Sequence, residues 1–358
     1  MKIEELDKNF VDNTHSYEGI RFSDSRNIEF KTHGLIYDDI NSQYLRMPID
    51  IAEKASLKVA ELNKCTSGGR IRFKTDSGKI AIKSVMRTIT RRNYFAQAVI
   101  RGFSLYTDNV FYKTYIPPIE ESNTDDKGYT GLIELPVKKF RNITIYFPIY
   151  NDVSALYIGL ETDCQILPPD NYTITKPILF YGSSITQGVC ASRPGNSYDA
   201  ILCRYLNADY LNFGFGGSAK GEPALAEYFS SLDASLFILD YDWNAPDPDH
   251  LQSTHYPFYA LYRKKQPVVP IIMMSRPNFD SSLESDIRRR EVIKDSYKKG
   301  MENGDKNLYF IDGETLFGYN HRDGCTVDGV HPNDLGFHRM ADTVYSEIKK
   351  IGIYSGHH

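Results

Sequence analysis

The sequence predicts two domains: an all-β sandwich over residues 1–172 and an α/β domain with a parallel sheet over residues 173–358. Short strands and turns dominate the first half, whereas strands alternate with helices in the second half, and these textures are typical of those two fold classes. A chain of 358 residues is also long for one domain and suits two. The stretch 167–171, which reads LPPDN, marks the expected boundary.

The first half carries the strand-and-turn pattern of a sandwich. Apolar residues alternate with basic or small ones over 70–74 and, after the turn-forming residues 76–78, again over 79–83. This arrangement predicts a β-hairpin with one buried face and one face in solvent. The alternation recurs over 143–147, and the polar run 120–127 predicts a loop. Many short strands without a long helix between them favour a sandwich.

The hydrophobic period changes after residue 172. Short apolar runs predict strands at 177–181, 210–213, 235–239, 268–274 and 308–311. Helical spacing predicts helices at 198–206, 223–231, 283–303 and 335–351. In such a sheet the functional groups lie on loops at the carboxyl ends of the strands. The candidate side chains are therefore those directly after each predicted strand.

Composition excludes several classes of partner. With 42 Lys and Arg against 46 Asp and Glu, the formal net charge is −4, and no basic block suggests binding to nucleic acid or to a membrane surface. The polar N-terminal segment lacks the apolar core of a secretory signal, and no apolar run approaches the ~18 residues of a transmembrane helix. We therefore expect a cytoplasmic protein. Five cysteines without a C-x-x-C pair predict reduced thiols rather than disulfides or a zinc site.

A serine follows the first predicted strand of the second half, in the segment 182–188 (GSSITQG). In a glycine-flanked turn between strand and helix, Ser184 would be exposed at the sheet edge. The helix behind it offers free N–H groups and the positive end of its dipole. Ser184 is therefore a candidate nucleophile, although an ordinary helix cap would show the same pattern.

Hydrogen-bond donors follow the next two strands. The segment 212–218 (NFGFGGS) has three glycines, among them Gly217, whose uncovered backbone N–H groups can approach a ligand closely; a flexible turn is the alternative. After the third strand, the Asn244 amide could donate a hydrogen bond, and Trp243, the single tryptophan, could line a pocket. Local packing and a turn cap are the alternatives there. The acidic stretch 240–249 lacks the Gly and Glu of a calcium loop, so we expect a solvated loop and no metal site.

Asp328 and His331 stand three residues apart near the C-terminus, ahead of a predicted helix. In a tight turn the carboxylate could hydrogen-bond to the imidazole, set its tautomer and stabilise its charged form. Nucleophile, N–H donors and acid–base pair then occur in an order that fits an α/β enzyme of the acyl-transfer kind.

Four segments together resemble the sequence blocks of the SGNH (GDSL-type) hydrolase family. They are 182–186 (GSSIT), 212–217 (NFGFGG), 240–244 (DYDWN) and 328–332 (DGVHP). The resemblance covers about residues 175–350 and implies a three-layer α/β/α domain that needs no cofactor.

The resemblance also implies a role for each site residue. Ser184 would be the nucleophile, His331 its general base and Asp328 the group that orients the imidazole. The oxyanion hole would consist of the backbone N–H groups of Ser184 and Gly217 and the side chain of Asn244.

This sequence departs from the family blocks at two positions. Ser183 stands where the family usually has Asp, and Ala245 follows Asn244 where Asp is usual. The first half is similar to the GxDLY domain that precedes some SGNH domains, through the segment 102–106 with Ser104 in place of Asp.

The resemblance implies an esterase that acts on small acyl esters. The layout is also similar to that of carbohydrate acetyl esterases with a jelly-roll domain in front, which suggests O-acetyl groups on a small-molecule or oligosaccharide substrate. An acyltransferase using the same serine and an inactive carbohydrate-binding protein are the alternatives, and homo-oligomerisation is left open. The candidate substrate-binding residues are Trp243, Tyr241, Arg276 and Lys220, although solvation is the common role of charged side chains.

Overall fold

The computed structural model describes residues 17–91, 93, 95–118, 127–277 and 284–354. Most of the polar N-terminal segment, on which the expected absence of a secretory signal depends, lies outside the described residues, as does most of the predicted loop 120–127. Within the described ranges, no helix is long and apolar enough to cross a bilayer.

The first half folds into two larger antiparallel sheets around a shared core and a separate two-stranded antiparallel sheet, β3-β4. Its strands are β1 (Ile20–Asp24), β2 (Lys31–His33), β3 (Ile36–Asp38), β4 (Gln43–Leu45), β5 (Arg70–Thr75), β6 (Lys79–Val85), β7 (Phe103–Thr107), β8 (Val110–Tyr115), β9 (Thr130–Glu134), β10 (Arg141–Tyr146), β11 (Ala155–Glu161) and β12 (Ile166–Leu167). One sheet has the order β1-β11-β6-β9 and the other β12-β5-β10-β7-β8, with β2 against β5. Apolar residues from both sheets form one cluster, as expected for a sandwich.

The predicted hairpin over 70–83 is wrong in its pairing. β5 pairs with β10, whereas β6 pairs with β11 and β9, so the turn at 76–78 carries the chain from one sheet to the other. The face of β5 expected in solvent is also covered, because Arg70 packs against the second half of the chain. Its guanidinium lies over the Tyr210 ring and pairs with Asp209. Alternation identifies the two faces of a strand but not what covers each.

The first half also contains short helices that the sequence pattern did not predict. They are α1 (Ile49–Ala55), α2 (Leu57–Leu62) and α3 (Gln97–Ile100). Ala52, Val59 and Leu62 belong to a core cluster of the second half, so α1 and α2 bind the two halves together. One or two turns are too short to show a clear helical period in the sequence.

The second half has a parallel sheet with helices on both faces, which confirms the predicted fold class. Its strands are β13 (Ile174–Gly182), β14 (Ala208–Gly214), β15 (Leu236–Asp240), β16 (Ile271–Met274) and β17 (Leu308–Ile311), in the order β14-β13-β15-β16-β17. Its helices are α4 (Ser184–Gln187), α5 (Tyr198–Leu206), α6 (Pro223–Phe229), α7 (Pro248–Lys265), α8 (Glu284–Glu302) and α9 (Asp334–Ile351). Because the strand order reverses beside β13, the carboxyl ends of β13 and its neighbours form the crevice where such sheets bind ligands.

The prediction that the acidic stretch 240–249 is a solvated loop is wrong. Asp240 and Asp242 are buried, and Asp247 is the N-cap of α7, where its carboxylate accepts the backbone N–H of His250 at 2.7 Å. Asp suits this position because it satisfies a free N–H group of the first turn. The helix α7 was not predicted, because Pro257 lies inside it and Pro is unfavourable in helix interiors.

The two halves share a buried interface. The last sandwich strand ends at Leu167 and the first strand of the parallel sheet begins at Ile174; residues 172 and 173 remain our proposed domain boundary. Tyr106 and Tyr146 of the sandwich lie in the same apolar cluster as Phe180 of β13. Sandwich side chains are thereby packed directly against the parallel-sheet domain.

Candidate active site

Ser184 occupies the first position of α4, directly after β13. Ser183 is the N-cap of this helix, and its hydroxyl accepts the backbone N–H of Ile185 at 3.1 Å. Gly188 ends the helix in the left-handed conformation, with φ 99°. Serine and aspartate both serve as N-caps, so Ser183 supports the turn that presents Ser184 although the family usually has Asp there.

Three predicted side chains form one hydrogen-bonded chain. The Ser184 hydroxyl oxygen lies 2.9 Å from Nε2 of His331, and Nδ1 of His331 lies 2.7 Å from Oδ2 of Asp328. The other oxygen, Oδ1, accepts the backbone N–H groups of Val330 at 3.0 Å and His331 at 2.7 Å. A carboxylate that accepts a hydrogen bond from the Nδ1–H group keeps the ring proton on Nδ1 and leaves Nε2 free to accept the serine proton.

The hydrogen bonds around Asp328 decide its ionisation. Burial acts to raise the pKa of Asp328, but hydrogen bonds from the backbone and ring of His331 and from the Val330 N–H outweigh it. The pKa of this carboxyl consequently lies below its usual value. Asp328 is therefore a carboxylate at neutral pH, and it would stabilise an imidazolium on His331.

The glycine loop after β14 comes close to Ser184. A Cβ added to Gly216 would lie 3.3 Å from Cβ of Ser184 and 2.9 Å from the hydroxyl oxygen of Tyr150. Gly217 has a φ of 70°, a left-handed conformation that favours glycine. Apart from its chain neighbours, no atom of the described residues comes within 4 Å of the Cβ position of Gly217. Its backbone therefore borders open space.

Asn244 holds this loop with both ends of its side-chain amide. Oδ1 accepts the Gly217 N–H at 3.0 Å, and Nδ2 donates to the Phe215 carbonyl oxygen at 2.7 Å. A flipped amide would oppose donor to donor, so this orientation is fixed, and Nδ2 keeps a second hydrogen for a ligand. The Ser184 backbone N–H lies at a helix start and has no acceptor among the described residues. The predicted donors are thus close together, with the Gly217 N–H engaged by Asn244.

A buried carboxyl under the nucleophile helix was missed as a site residue. Asp240 at the end of β15 accepts hydrogen bonds from the Thr186 hydroxyl at 2.6 Å and from the Tyr198 hydroxyl at 2.8 Å. Burial raises the pKa of Asp240 well above its usual value. A side chain at Gly182 would overlap Oδ1 of Asp240. Asp240 therefore holds α4 in place through Thr186. Its position directly after an apolar run is the sequence feature that could have identified it as a site residue.

The predicted substrate-binding residues lie in different surroundings. Trp243 is half-buried, with the Arg276 guanidinium stacked 3.7 Å from its ring centre. Arg276 is itself buried and lies 3.3 Å from a carboxylate oxygen of Asp286. Tyr241 is fully buried in the core, so its prediction as a substrate contact is wrong. Lys220 is half-exposed in the segment after the glycine loop.

The histidines near the acidic stretch have separate partners. Nε2 of His250 lies 2.9 Å from the Lys220 carbonyl oxygen, and the ring of His255 stacks on that of Tyr241. In the part of the chain that the structure describes, no three or more His, Cys, Asp or Glu side chains are grouped to hold a metal ion.

Two side chains of the sandwich contact the segments that carry the proposed site residues. The Ser67 hydroxyl donates to the Gln187 carbonyl oxygen at the end of α4, at 2.6 Å. The Tyr150 hydroxyl lies close to Gly216. These contacts cannot be identified from the sequence pattern, because they join segments that are far apart along the chain.

Two families match successive parts of the chain. The GDSL-like Lipase/Acylhydrolase family matches residues 175–349, and GxDLY, the N-terminus of Esterase_SGNH_hydro-type, matches residues 20–166. Among curated proteins there is no match. A solved structure described as a GDSL-like lipase from Bacteroides ovatus ATCC 8483 is 28% identical with a TM-score of 0.82, over 93% of this chain and 98% of that chain.

More distant structures share the fold. The salicylyl-acyltransferase SsfX3 from a tetracycline biosynthetic pathway has a TM-score of 0.77 at 18% identity, over 94% of this chain and 99% of that chain. A family two carbohydrate esterase from Clostridium thermocellum in complex with cellohexaose has a TM-score of 0.62 at 15% identity, over 90% and 99%. With both families matched in order on the expected fold, the protein is an esterase whose residues 175–349 match the SGNH (GDSL-like lipase/acylhydrolase) family and whose residues 20–166 match the GxDLY N-terminus of such esterases.

Proposed function

We propose that the protein is a serine esterase that removes short acyl groups, above all O-acetyl groups, from a carbohydrate. Ser184, His331 and Asp328 carry the reaction. The observation that supports this most is the hydrogen-bond chain from the Ser184 hydroxyl through His331, at 2.9 Å, to Asp328, at 2.7 Å. A hydroxyl bound to a base that a carboxylate orients is the arrangement that activates serine as a nucleophile.

Acylation begins when the Ser184 oxygen attacks the ester carbonyl carbon and Nε2 of His331 takes the hydroxyl proton. Asp328 stabilises the imidazolium and keeps its other proton on Nδ1. The bond from the carbonyl carbon to the alcohol oxygen then breaks, and His331 returns the proton to that oxygen. The products of this step are the free alcohol and an acyl-Ser184 ester.

The negative charge of the tetrahedral intermediate develops on the former carbonyl oxygen. The Ser184 N–H and the second Nδ2 hydrogen of Asn244 are its donors. The Gly217 N–H is the third when it turns from Asn244 toward the bound oxygen. Each donor of this kind is worth on the order of 3 kcal/mol of barrier.

Deacylation repeats these steps with water as the nucleophile. His331 accepts a proton from water as the water oxygen attacks the acyl carbonyl carbon, and then protonates the Ser184 oxygen as the acid leaves. The same two groups thus serve both half-reactions.

Two features support a carbohydrate with a small acyl group. The half-buried Trp243 directly precedes Asn244 in the chain, and an aromatic side chain near a few polar groups suits a ring-shaped ligand. The fold is also shared with the family two carbohydrate esterase and with an acetyl xylan esterase (Est2A) from the rumen bacterium Butyrivibrio proteoclasticus.

An acyltransferase is the second candidate. The salicylyl-acyltransferase matches this fold with a higher TM-score, 0.77, than the family two carbohydrate esterase, 0.62. The two functions differ only in whether water or a substrate alcohol attacks the acyl-enzyme. Product analysis with an acyl donor and added sugar alcohols separates them, because transfer yields an acylated sugar and hydrolysis yields free acid.

The proposal is tested by hydrolysis of p-nitrophenyl acetate and p-nitrophenyl octanoate. We expect the wild type to hydrolyse the acetate faster than the octanoate. Ser184→Ala should lose all activity on both esters, whereas the control Ser192→Ala should keep full activity. Ser192 carries an exposed hydroxyl on a neighbouring loop that binds Asp334. Activity unchanged in Ser184→Ala would exclude the serine mechanism, and faster octanoate turnover would exclude the short-acyl preference.

A further inference from the structure

Arg46 of the sandwich half is buried behind the glycine loop of the active site. It follows β4 and is only 2% exposed. Nη1 donates to the Gly214 carbonyl oxygen at 2.5 Å and approaches that of Asn212 at 3.4 Å, and Nη2 donates to the Leu62 carbonyl oxygen at 2.6 Å. The guanidinium therefore contacts the last residues of β14, directly before the glycine loop begins.

Arg46 also supports the first side chain of that loop. Its guanidinium carbon lies 4.3 Å from the centre of the Phe215 ring. Phe215 is the residue whose carbonyl oxygen accepts the Asn244 Nδ2 hydrogen, and Gly216 and Gly217 follow it. Arg46 thus holds the backbone that positions two of the proposed oxyanion donors.

The charge of Arg46 is not neutralised by a nearby carboxylate. No Asp or Glu among the described residues lies within ion-pair distance of its guanidinium, and the titratable groups that act on its pKa are a thiol and a phenol, those of Cys65 and Tyr150. Burial lowers the pKa of Arg46 to about 10, so it is a cation at neutral pH. The field of an uncompensated buried cation is weakly screened.

Arg70 offers a natural comparison, because it contacts the same strand, β14, as Arg46 does. It too comes from the sandwich, is fully buried and stacks on a residue of β14, 4.0 Å from the Tyr210 ring centre. Unlike Arg46, it pairs with a carboxylate, that of Asp209. Asp209 and Tyr210 lie toward the amino end of β14, whereas the active-site loop leaves its carboxyl end.

On the basis of the proposed function, we infer that Arg46 is a positioning residue for acyl transfer. It fixes the backbone at Gly214 and Phe215, where the glycine loop begins, and adds a positive charge behind the oxygen that becomes negative. Acyl transfer in one half of the chain therefore depends on a side chain from the other half. Because the effect is greatest when the oxyanion forms, its loss lowers kcat more than it changes KM.

The test compares Arg46→Lys and Arg46→Met with Arg70→Lys and the wild type. Three quantities are measured: kcat and KM for p-nitrophenyl acetate, the rate of Ser184 phosphonylation by a fluorophosphonate, and the thermal midpoint. Phosphonylation forms the serine O–P bond as the P–F bond breaks, and needs no knowledge of the natural substrate. We expect kcat to fall roughly tenfold in Arg46→Lys and about 100-fold in Arg46→Met, with KM nearly unchanged.

Phosphonylation should slow in parallel with kcat in the Arg46 variants, while Arg70→Lys loses thermal stability but keeps its kcat per folded molecule. Wild-type kcat in both Arg46 variants, or an equal loss in Arg70→Lys, would overturn the inference and make Arg46 a packing residue. If Arg46→Met fails to fold, the kcat and phosphonylation rate of Arg46→Lys decide. A wild-type enzyme whose Ser184 is not phosphonylated would instead refute the proposed function, and the inference with it.

Discussion

Replacing Asp328 with Asn is the change that the active-site geometry constrains most closely. Oδ1 of Asp328 accepts two backbone N–H groups, at 2.7 and 3.0 Å, while Oδ2 faces Nδ1 of His331 at 2.7 Å. An amide can satisfy the two backbone donors only with its oxygen, so its NH₂ group must turn toward His331. Nδ1 of His331 then has to accept a hydrogen bond rather than donate one.

The consequence is the wrong imidazole tautomer. With Nδ1 as acceptor, the ring proton resides on Nε2 and points at the Ser184 hydroxyl, 2.9 Å away. His331 can then no longer remove the serine proton. In serine hydrolases this fault costs on the order of 10⁴-fold in kcat, and we expect a loss of roughly 10³- to 10⁴-fold, equivalent to about 4–5.5 kcal/mol of barrier.

The assay is steady-state hydrolysis of p-nitrophenyl acetate with Asp334→Asn as the matched control. Asp334 lies three residues beyond His331 and binds the Ser192 backbone N–H at 2.8 Å, with no hydrogen bond to the imidazole among the described contacts. We expect the control to keep a kcat close to that of the wild type. A kcat within about tenfold of wild type in Asp328→Asn would refute the tautomer argument.

Three further predictions follow from buried or crowded positions. Burial raises the pKa of Asp242 to about 6, so the folded state binds more protons than the unfolded state and stability falls as pH rises from about 4 through 6. Asp242→Asn should therefore raise the thermal midpoint at pH 8 but not at pH 4, because it removes a cost of up to about 3 kcal/mol in the free energy of unfolding. An unchanged midpoint at pH 8 would contradict this cost. Gly216→Ala should lower kcat by about 100-fold, because the new Cβ would lie 2.9 Å from the Tyr150 hydroxyl oxygen. A normal kcat in steady-state kinetics of the folded variant would show that this crowding is harmless. Ser183→Ala should cost about 1 kcal/mol in a denaturant titration through loss of the N-cap, whereas Ser183→Asp should not; equal stabilities would argue against the cap.

The sequence was sufficient for several elements of the second half. The predicted helix 198–206 and strand 308–311 coincide with α5 and β17. The triad and loop blocks were also recognisable, because residues that meet at the edge of a parallel sheet lie directly after its strands.

Tertiary partners were beyond the sequence pattern. Nothing in the alternation around Arg70 indicates that another domain covers it, nor that the turn at 76–78 changes sheets. Arg46 has no periodic context at all, and its role depends on carbonyl groups that only the folded strand β14 presents to it. Charged residues are usually exposed, so a sequence-based interpretation places both arginines in solvent.

The burial of Tyr241 can be predicted from the alternation of the strand residues before it. Phe237, Leu239 and Tyr241 belong to one buried cluster, and their spacing of two is that of side chains on one face of a strand. The alternation therefore continues one residue beyond the end of β15, and it places Tyr241 inward. Trp243 then lies past the strand, where the backbone has turned into a short helix.

The proposed mechanism requires that Ser184 becomes acylated during turnover. The direct measurement is mass spectrometry of the acid-quenched enzyme after millisecond mixing with p-nitrophenyl acetate, followed by peptide mapping. We expect one added acetyl group, located on Ser184, which accumulates in the wild type and is absent in Ser184→Ala. Turnover that proceeds with no acetyl group on Ser184, or with the label on another residue, would contradict it.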